Sequence, residues 1–208
     1  MDQKILFEIK KFKKSAPVTT VFFTDRNKVL DFKKTIANLP KNSAIIIREY
    51  DLDKKAREIF AREIVSLARP RGFIILVGKD LALAHKIKAD GVHFSDFDQL
   101  TPQVFKKESF PKKFIFSLAC HSFKSILSSA KLRADLVFIS PIFPTTSHSD
   151  AKKFGLRNLA KIAVKTKKPS YGLPPIFALG GVNLENIKSI RKLGISGFGA
   201  IELFTKNL

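Results

Sequence analysis

Eight short apolar segments recur along this chain, each separated from the next by a stretch with helical periodicity. Some of them, such as the run Ala44-Ile45-Ile46-Ile47, are apolar without alternation, which is typical of parallel strands buried on both faces. The segments lie at residues 19–24, 43–48, 73–77, 91–94, 114–118, 136–140, 176–179 and 197–201. Strands that alternate with helices predict an α/β fold with a parallel sheet. We expect it to close as an eight-stranded (β/α)8 TIM barrel, with an open, doubly wound sheet as the alternative.

The length of the chain is consistent with one barrel. A compact (β/α)8 barrel needs roughly 200 residues, and this chain has 208. No shift in composition and no long unstructured insert marks a boundary, so we expect a single domain over residues 1–208. Apolar residues at helical spacing between Lys4 and Lys14 predict a short amphipathic helix ahead of the first strand.

The overall composition excludes several classes of protein. Apolar residues make up 45% of the chain and charged residues 27%, which is typical of a folded globular protein. No apolar run approaches the ~18 residues of a membrane span, and the N-terminus lacks the layout of a secretory signal. We therefore expect a cytoplasmic protein without a membrane partner. The single cysteine, Cys120, cannot form an intramolecular disulfide.

The chain is strongly basic, with 38 Lys and Arg against 18 Asp and Glu, which gives a net charge of +20. A basic surface attracts phosphate groups, so nucleic acid has to be considered as a partner. The lysines are nevertheless spread along the chain, and no zinc-finger, RNP-type or GXXG signature accompanies them. We therefore expect a generally basic surface, with a true anion-binding face as the alternative, and we do not expect nucleic acid as a partner. The oligomeric state is not predicted.

Polar residues cluster directly after the predicted strands. In a barrel the carboxyl ends of all strands share one rim, and the loops at that rim carry the chemistry. Positions scattered in sequence therefore converge there, and this convergence predicts a functional site. The residues concerned are Arg48, Asp96, Asp98, His121, Ser122, Thr145, Thr146, Ser147, His148, Gly180 and Gly181.

For several of these residues the sequence alone allows two interpretations. Gly180 and Gly181, ahead of a helix predicted to begin near Asn183, could present backbone N–H groups to a phosphate or form a tight turn. Asp98 could bind Mg²⁺ or cap the following helix. His121 could act as an acid or base, or could serve a structural role.

Four motifs carry a resemblance to a known family. They are ADGVH at 89–93, SPIFPT at 140–145 following Ala134-Asp135, IFALGGV at 176–182, and the closing segment 194–201. Together they resemble the thiamine-phosphate synthase and TenI (thiazole tautomerase) family, whose members are (β/α)8 barrels of about this length. The resemblance extends from the second strand to the end of the chain.

The resemblance implies an activity and a set of site residues. Synthases of this family join hydroxymethylpyrimidine diphosphate to thiazole phosphate after a Mg²⁺-supported loss of diphosphate. It implies that Asp98 binds Mg²⁺, and that His148 stands where the family has a diphosphate-binding lysine. It also implies that His121 could match the acid/base histidine of the tautomerases. The implied substrate and phosphate ligands are Arg48, Thr145, Ser147, Gly180 and Gly181.

The chain departs from the family pattern at several reactive positions. The Asn-Asp pair expected after the third strand falls on residues 76–79, which contain neither residue. Ile46 and Tyr50 replace the Gln and Lys expected at the end of the second strand. Ala119 replaces the serine expected after the fifth strand, and Glu202 replaces the serine expected after the last strand. These departures predict a degenerate diphosphate and Mg²⁺ site.

Three functional hypotheses follow. The leading one is a thiamine (vitamin B1) biosynthesis protein that resembles thiamine-phosphate synthase and has a degenerate site. The first alternative is a TenI-like thiazole tautomerase that uses His121 and needs neither Mg²⁺ nor a diphosphate clamp. The second is a non-catalytic barrel that binds a ligand or nucleic acid.

Overall fold

The computed structural model describes residues 2–12, 15–95, 111, 113–144, 154–166 and 172–205. It confirms the predicted barrel, because eight parallel strands pair in chain order and β8 pairs back onto β1. The strands are β1 Thr20–Phe23, β2 Ser43–Ile47, β3 Ile74–Gly78, β4 Gly91–Ser95, β5 Ile115–Cys120, β6 Leu136–Ile139, β7 Ile176–Ala178 and β8 Gly197–Ala200.

Helices follow the strands as expected for this fold. Within the described residues they are α1 Gln3–Lys10, α2 Phe32–Ala37, α3 Lys54–Ala68, α4 Leu81–Lys86, α5 Phe123–Lys131, α6 Gly155–Lys165, α7 Ile187–Lys192 and α8 Glu202–Thr205. The predicted N-terminal helix is α1, which packs against α7 through a 2.6 Å ion pair between Glu8 and Arg191. No helix in this part of the chain is long and apolar enough to cross a membrane.

Strand residues alternate between two apolar cores. On β2, Ala44 and Ile46 belong to the cluster inside the barrel, whereas Ile45 and Ile47 belong to the larger cluster between strands and helices. Aromatic rings fill much of the interior, where Phe23 and Phe138 pack edge to face at 5.2 Å between ring centroids. This two-sided burial explains why the strands are apolar without alternation, and it leaves the strand ends as the place for polar groups.

Most strand ends lie within one residue of the predicted ones, and larger differences occur at the end of β5 and the start of α7. β5 continues past Leu118 to Cys120, because Ala119 and Cys120 are buried and pair with β6. α7 begins at Ile187 rather than near Asn183, because the Asn183 side chain accepts hydrogen bonds from the backbone N–H groups of Glu185 and Asn186, both at 3.0 Å. This local side-chain bonding favours a turn over a helical start.

Candidate active site

The predicted site residues fall into two groups. Arg48, His121, Ser122, Gly180 and Gly181 are described by the structure and lie just beyond the carboxyl ends of β2, β5 and β7, where Ser122 caps α5. The other predicted residues lie outside the described residues and stay predictions: Asp98, Thr145, Ser147 and His148. Asp96 and Thr146, which also follow strands, lie outside as well.

A cleft of about 400 Å³ opens at the ends of β1 and β2, and the segments 24–27 and 48–51 line it. Arg48 is fixed in this cleft. Its Nε donates to the backbone oxygen of Thr24 at 3.0 Å, and its Nη2 lies 3.3 Å from Oδ2 of Asp25. The guanidinium also lies over the Phe23 ring, 5.8 Å from the centroid. The strand ends therefore hold a forked cation at the rim of the barrel.

Glu49 is a residue of this cleft that the sequence did not single out. It is only 5% exposed, and its φ of 23° is a left-handed conformation that non-glycine residues rarely adopt. Thr24 donates its hydroxyl hydrogen to Oε2 at 2.5 Å, and the backbone N–H of Arg48 contacts the same oxygen at 3.1 Å. Oε1 is buried and has no hydrogen-bond partner among the described residues.

The environment of Glu49 favours its neutral form. Burial raises the pKa of this carboxyl above its ordinary value, and the hydrogen bond from Thr24 and the charge of Arg48 offset only part of that effect. A strained backbone of this kind costs of order 1–3 kcal/mol. In the sequence, Glu49 is marked only as a charged residue directly after a strand. Its burial could not be predicted, because the carboxyl is covered by the neighbouring strand.

The end of β3 carries two cations, Lys79 and Arg57, and its one nearby carboxylate, Asp80, caps α4 and lies 3.4 Å from the Arg57 guanidinium. Lys79 directly follows β3, and its Nζ lies 5.5 Å from the centroid of the Tyr50 ring. The Arg57 guanidinium contacts the same ring at 5.3 Å and also bonds the backbone oxygen of Gly78. A side chain at Gly78 would collide with Tyr50, whose hydroxyl lies 2.4 Å from the Cβ position. Tyr50 therefore packs across the end of β3 between two cations.

His121 lies at the end of β5, beside the end of β6. Its Nδ1 lies 2.8 Å from the backbone oxygen of Ser140 and 3.3 Å from the hydroxyl of that residue. Because a carbonyl oxygen can only accept, this contact places a hydrogen on Nδ1. In the neutral imidazole the lone pair is then on Nε2, which is the arrangement of a general base.

The glycine pair after β7 packs closely on the segment after β6. Gly180 and Gly181 have φ values of 90° and 66°, and Phe143 donates its N–H to the oxygen of Gly180 at 3.1 Å. A Cβ on Gly181 would lie 2.2 Å from the oxygen of Pro144. Packing alone therefore requires glycine at Gly181, and a role in phosphate binding stays a prediction.

Glu202 begins α8, directly beyond β8, and its carboxylate forms a 3.3 Å ion pair with Lys28 from the loop after β1. The described residues therefore form two sectors of the rim. Arg48, Glu49 and the Lys28–Glu202 pair lie around β8, β1 and β2, whereas His121 and Gly180 lie on β5 to β7.

The comparisons with known proteins agree with this fold. The family model described as thiamine monophosphate synthase matches residues 20–204, which include all eight strands. The chain belongs to the thiamine-phosphate synthase family. This confirms the predicted family and the predicted role in thiamine biosynthesis.

Individual members of the thiamine-phosphate synthase family are similar over most of the chain. A protein of Aquifex aeolicus named "Putative thiamine-phosphate synthase 2" is 31% identical over 184 residues, which cover 87% of this chain and 94% of the relative. A thiamine-phosphate synthase of Staphylococcus saprophyticus is 30% identical, and the similarity covers 73% of this chain and 68% of that relative. The solved structure of a thiamine phosphate pyrophosphorylase from Pyrococcus furiosus has a TM-score of 0.74 at 24% identity, covering 89% of this chain and 86% of that one.

Thiamine-phosphate synthases are generally Mg²⁺-dependent, and a magnesium site would need oxygen ligands at the rim. Residues 76–79 supply no carboxylate, and the ammonium of Lys79 stands at the end of β3. Asp98 lies outside the described residues, and the described ranges contain no group of three or more His, Cys, Asp or Glu side chains that could hold a metal ion. This part of the rim does not fit a site that needs two carboxylates.

Proposed function

We propose that this chain binds the diphosphate of hydroxymethylpyrimidine diphosphate through Arg48 and forms thiamine phosphate at a reduced rate. The observation that carries the proposal is the fixed guanidinium in the cleft between the ends of β1 and β2. The planar fork of an arginine matches the geometry of phosphate oxygens. Membership of the thiamine-phosphate synthase family supports the same substrates.

The reduced rate follows from charges at the same rim. Asp25 lies 3.3 Å from the Arg48 guanidinium and competes with a ligand phosphate for it. Tyr50 stands where the resemblance implies a lysine, and Glu202 places a carboxylate where the resemblance implies a serine beside the thiazole phosphate. Each change weakens the electrostatic stabilisation of a diphosphate leaving group or the binding of its partner.

The test is formation of thiamine phosphate from the two phosphorylated halves with Mg²⁺. We expect slow turnover, and we expect Arg48→Ala to lower kcat/KM by about 10²-fold, as is usual for loss of one stabilising donor. Arg48→Lys keeps the charge but not the fork and should give an intermediate rate. Arg62→Ala is the matched control, because Arg62 lies on the exposed face of α3 and pairs only locally with Glu58. Equal rates for Arg48→Ala and the parent protein would contradict the proposal.

His121 supports a second candidate, proton transfer on a thiazole phosphate of the TenI type. The Nδ1–H contact to Ser140 orients the ring and leaves a basic Nε2. In this case deuterium from solvent should enter the thiazole without any pyrimidine substrate, and His121→Ala should abolish the exchange. His85→Ala is the control, because His85 stacks on Phe114 in the helical layer. Exchange that survives in His121→Ala would exclude this candidate.

A further inference from the structure

We propose that Glu49 is a positioning residue, whose buried carboxyl acts through Thr24 to hold the Arg48 guanidinium in the orientation that binds a ligand phosphate. The inference rests on the proposed function, since it takes Arg48 as the group that binds the diphosphate. It assigns a role to a side chain that neither the motifs nor the family resemblance singled out.

A continuous set of contacts joins Glu49 to Arg48. The Thr24 hydroxyl has one hydrogen, and it lies 2.5 Å from Oε2 of Glu49 but 3.3 Å from the backbone oxygen of Ile46. The hydrogen therefore goes to the carboxyl, and a lone pair of the hydroxyl accepts the Arg48 N–H at 3.0 Å. The backbone oxygen of Thr24 in turn accepts Nε of Arg48 at 3.0 Å. Thr24 thus fixes both ends of the arginine, and Glu49 fixes the hydroxyl of Thr24.

A role in packing alone does not explain the choice of residue. Glu49 is only 5% exposed, its backbone has a φ of 23°, and its Oε1 has no partner within the described ranges. Glutamine or an apolar residue would fill the same space without burying an ionisable group. Buried groups that are strained and incompletely paired concentrate at functional sites, and this one adjoins the cleft that holds Arg48.

The charge state of Glu49 affects what Arg48 can bind. The groups that face the carboxyl are the Thr24 hydroxyl and the charged side chains of Arg48 and Asp25; the Arg26–Asp51 pair lies farther out, at the exposed edge of the cleft. In the neutral acid, Oε2 accepts both hydrogen bonds and the proton resides on Oε1. An ionised carboxylate would compete with the ligand for the positive charge of Arg48. Affinity for phosphate should therefore decrease as pH rises through the titration of Glu49.

The test uses inorganic pyrophosphate as the probe and isothermal titration calorimetry between pH 5 and 8 at constant ionic strength. We expect Glu49→Ala to weaken pyrophosphate binding at least about tenfold, which corresponds to loss of one charge-assisted hydrogen bond between Arg48 and the pyrophosphate. The dissociation constant of the parent protein, divided by that of Glu49→Gln, should be smallest at the acid end of this range and should rise with pH. Because pyrophosphate itself titrates in this range, the ratio of the two dissociation constants is the quantity to follow.

A double mutant separates positioning from general destabilisation. If Glu49 acts through Arg48, adding Glu49→Ala to Arg48→Ala should cause no further loss of pyrophosphate binding. Additive losses, or parental affinity in Glu49→Ala, would overturn the proposal. The variants are compared only below their unfolding temperatures, and Glu49→Gln provides the test if Glu49→Ala does not fold.

A readout without ligand distinguishes failure of this inference from failure of the proposed function. The NMR signal of the Arg48 Nε–H group should be protected from exchange in the parent protein and in Glu49→Gln, and unprotected in Glu49→Ala. If the parent protein does not bind pyrophosphate, the proposed function is wrong, and loss of this protection would still support the positioning role. Unchanged protection in Glu49→Ala would overturn it.

Discussion

The buried carboxyl of Glu49 makes the stability of the folded chain depend on pH. Burial raises the pKa of Glu49 in the folded state above its ordinary value of 4.5. Below that value the carboxyl is neutral in both the folded and the unfolded state and costs the folded state least. As pH rises from there through the higher folded-state pKa, the folded state must either bind a proton from solution or bury a charge, and it loses stability relative to an uncharged variant.

Glu49→Gln is therefore expected to gain stability relative to the parent protein as pH rises from 4 to 8. The difference should be smallest near pH 4, grow above pH 4.5, and level off once Glu49 is ionised in the folded state. Urea unfolding at several pH values measures this difference. A difference that stays constant over the whole range would show that the carboxyl does not titrate in this window.

At the scale of elements, the loops after β6 and β7 pack against each other without room for one more methyl group. We expect Gly181→Ala to destabilise the protein by more than about 2 kcal/mol, because it combines an unfavourable φ of 66° with a contact of 2.2 Å to Pro144. Gly194→Ala is the matched control, since Gly194 has a φ of 73° but nothing within 4 Å of its Cβ position. Its cost should be about 1–2 kcal/mol. Equal costs in urea unfolding would contradict the close packing.

The start of α3 offers a second prediction at this scale. The Asp53 carboxylate accepts the backbone N–H groups of Lys55 and Ala56 at 2.8 and 2.9 Å, so it satisfies two donors at the helix start. Asp53→Ala should cost about 1 kcal/mol, measured by thermal unfolding. Asp51→Ala removes the same charge from an exposed ion pair with Arg26 and should cost less. A larger loss in Asp51→Ala would contradict the assigned cap.

At the scale of the whole molecule, the +20 charge is the feature that the family does not explain. If it only makes the surface basic, binding to single-stranded RNA should be weak at 50 mM salt, fall steeply with added salt, and be unmeasurable at about 150 mM. Fluorescence anisotropy with a labelled oligonucleotide measures this. Binding that persists at about 150 mM salt would favour the nucleic-acid-binding barrel over the small-ligand protein.

The architecture could be predicted from the sequence because each strand and helix has a recognisable local pattern of apolar residues. Apolar runs such as the one in β2 and the helical periodicity of α3 each identify one element, and their alternation identifies the barrel. The end of β5 and the start of α7 were missed because they depend on pairing with β6 and on the side-chain bonds of Asn183. Glu49 was missed for a related reason: its burial under Thr24 exists only after β1 and β2 have paired.

The last strand of the barrel is its seam, and glycines alternate with Phe198 and Ala200 along it. In β8, Gly197 allows the backbone oxygen of Thr19 to come within 2.1 Å of its Cβ position, and Gly199 leaves room for the Phe23 ring. β8 pairs with β1, and Phe198 stands opposite Thr20, 178 residues earlier in the chain. During synthesis, β1 and β7 therefore present open strand edges until β8 has left the ribosome. Over this interval the nascent chain is most exposed to aggregation, and binding by a chaperone would protect it most.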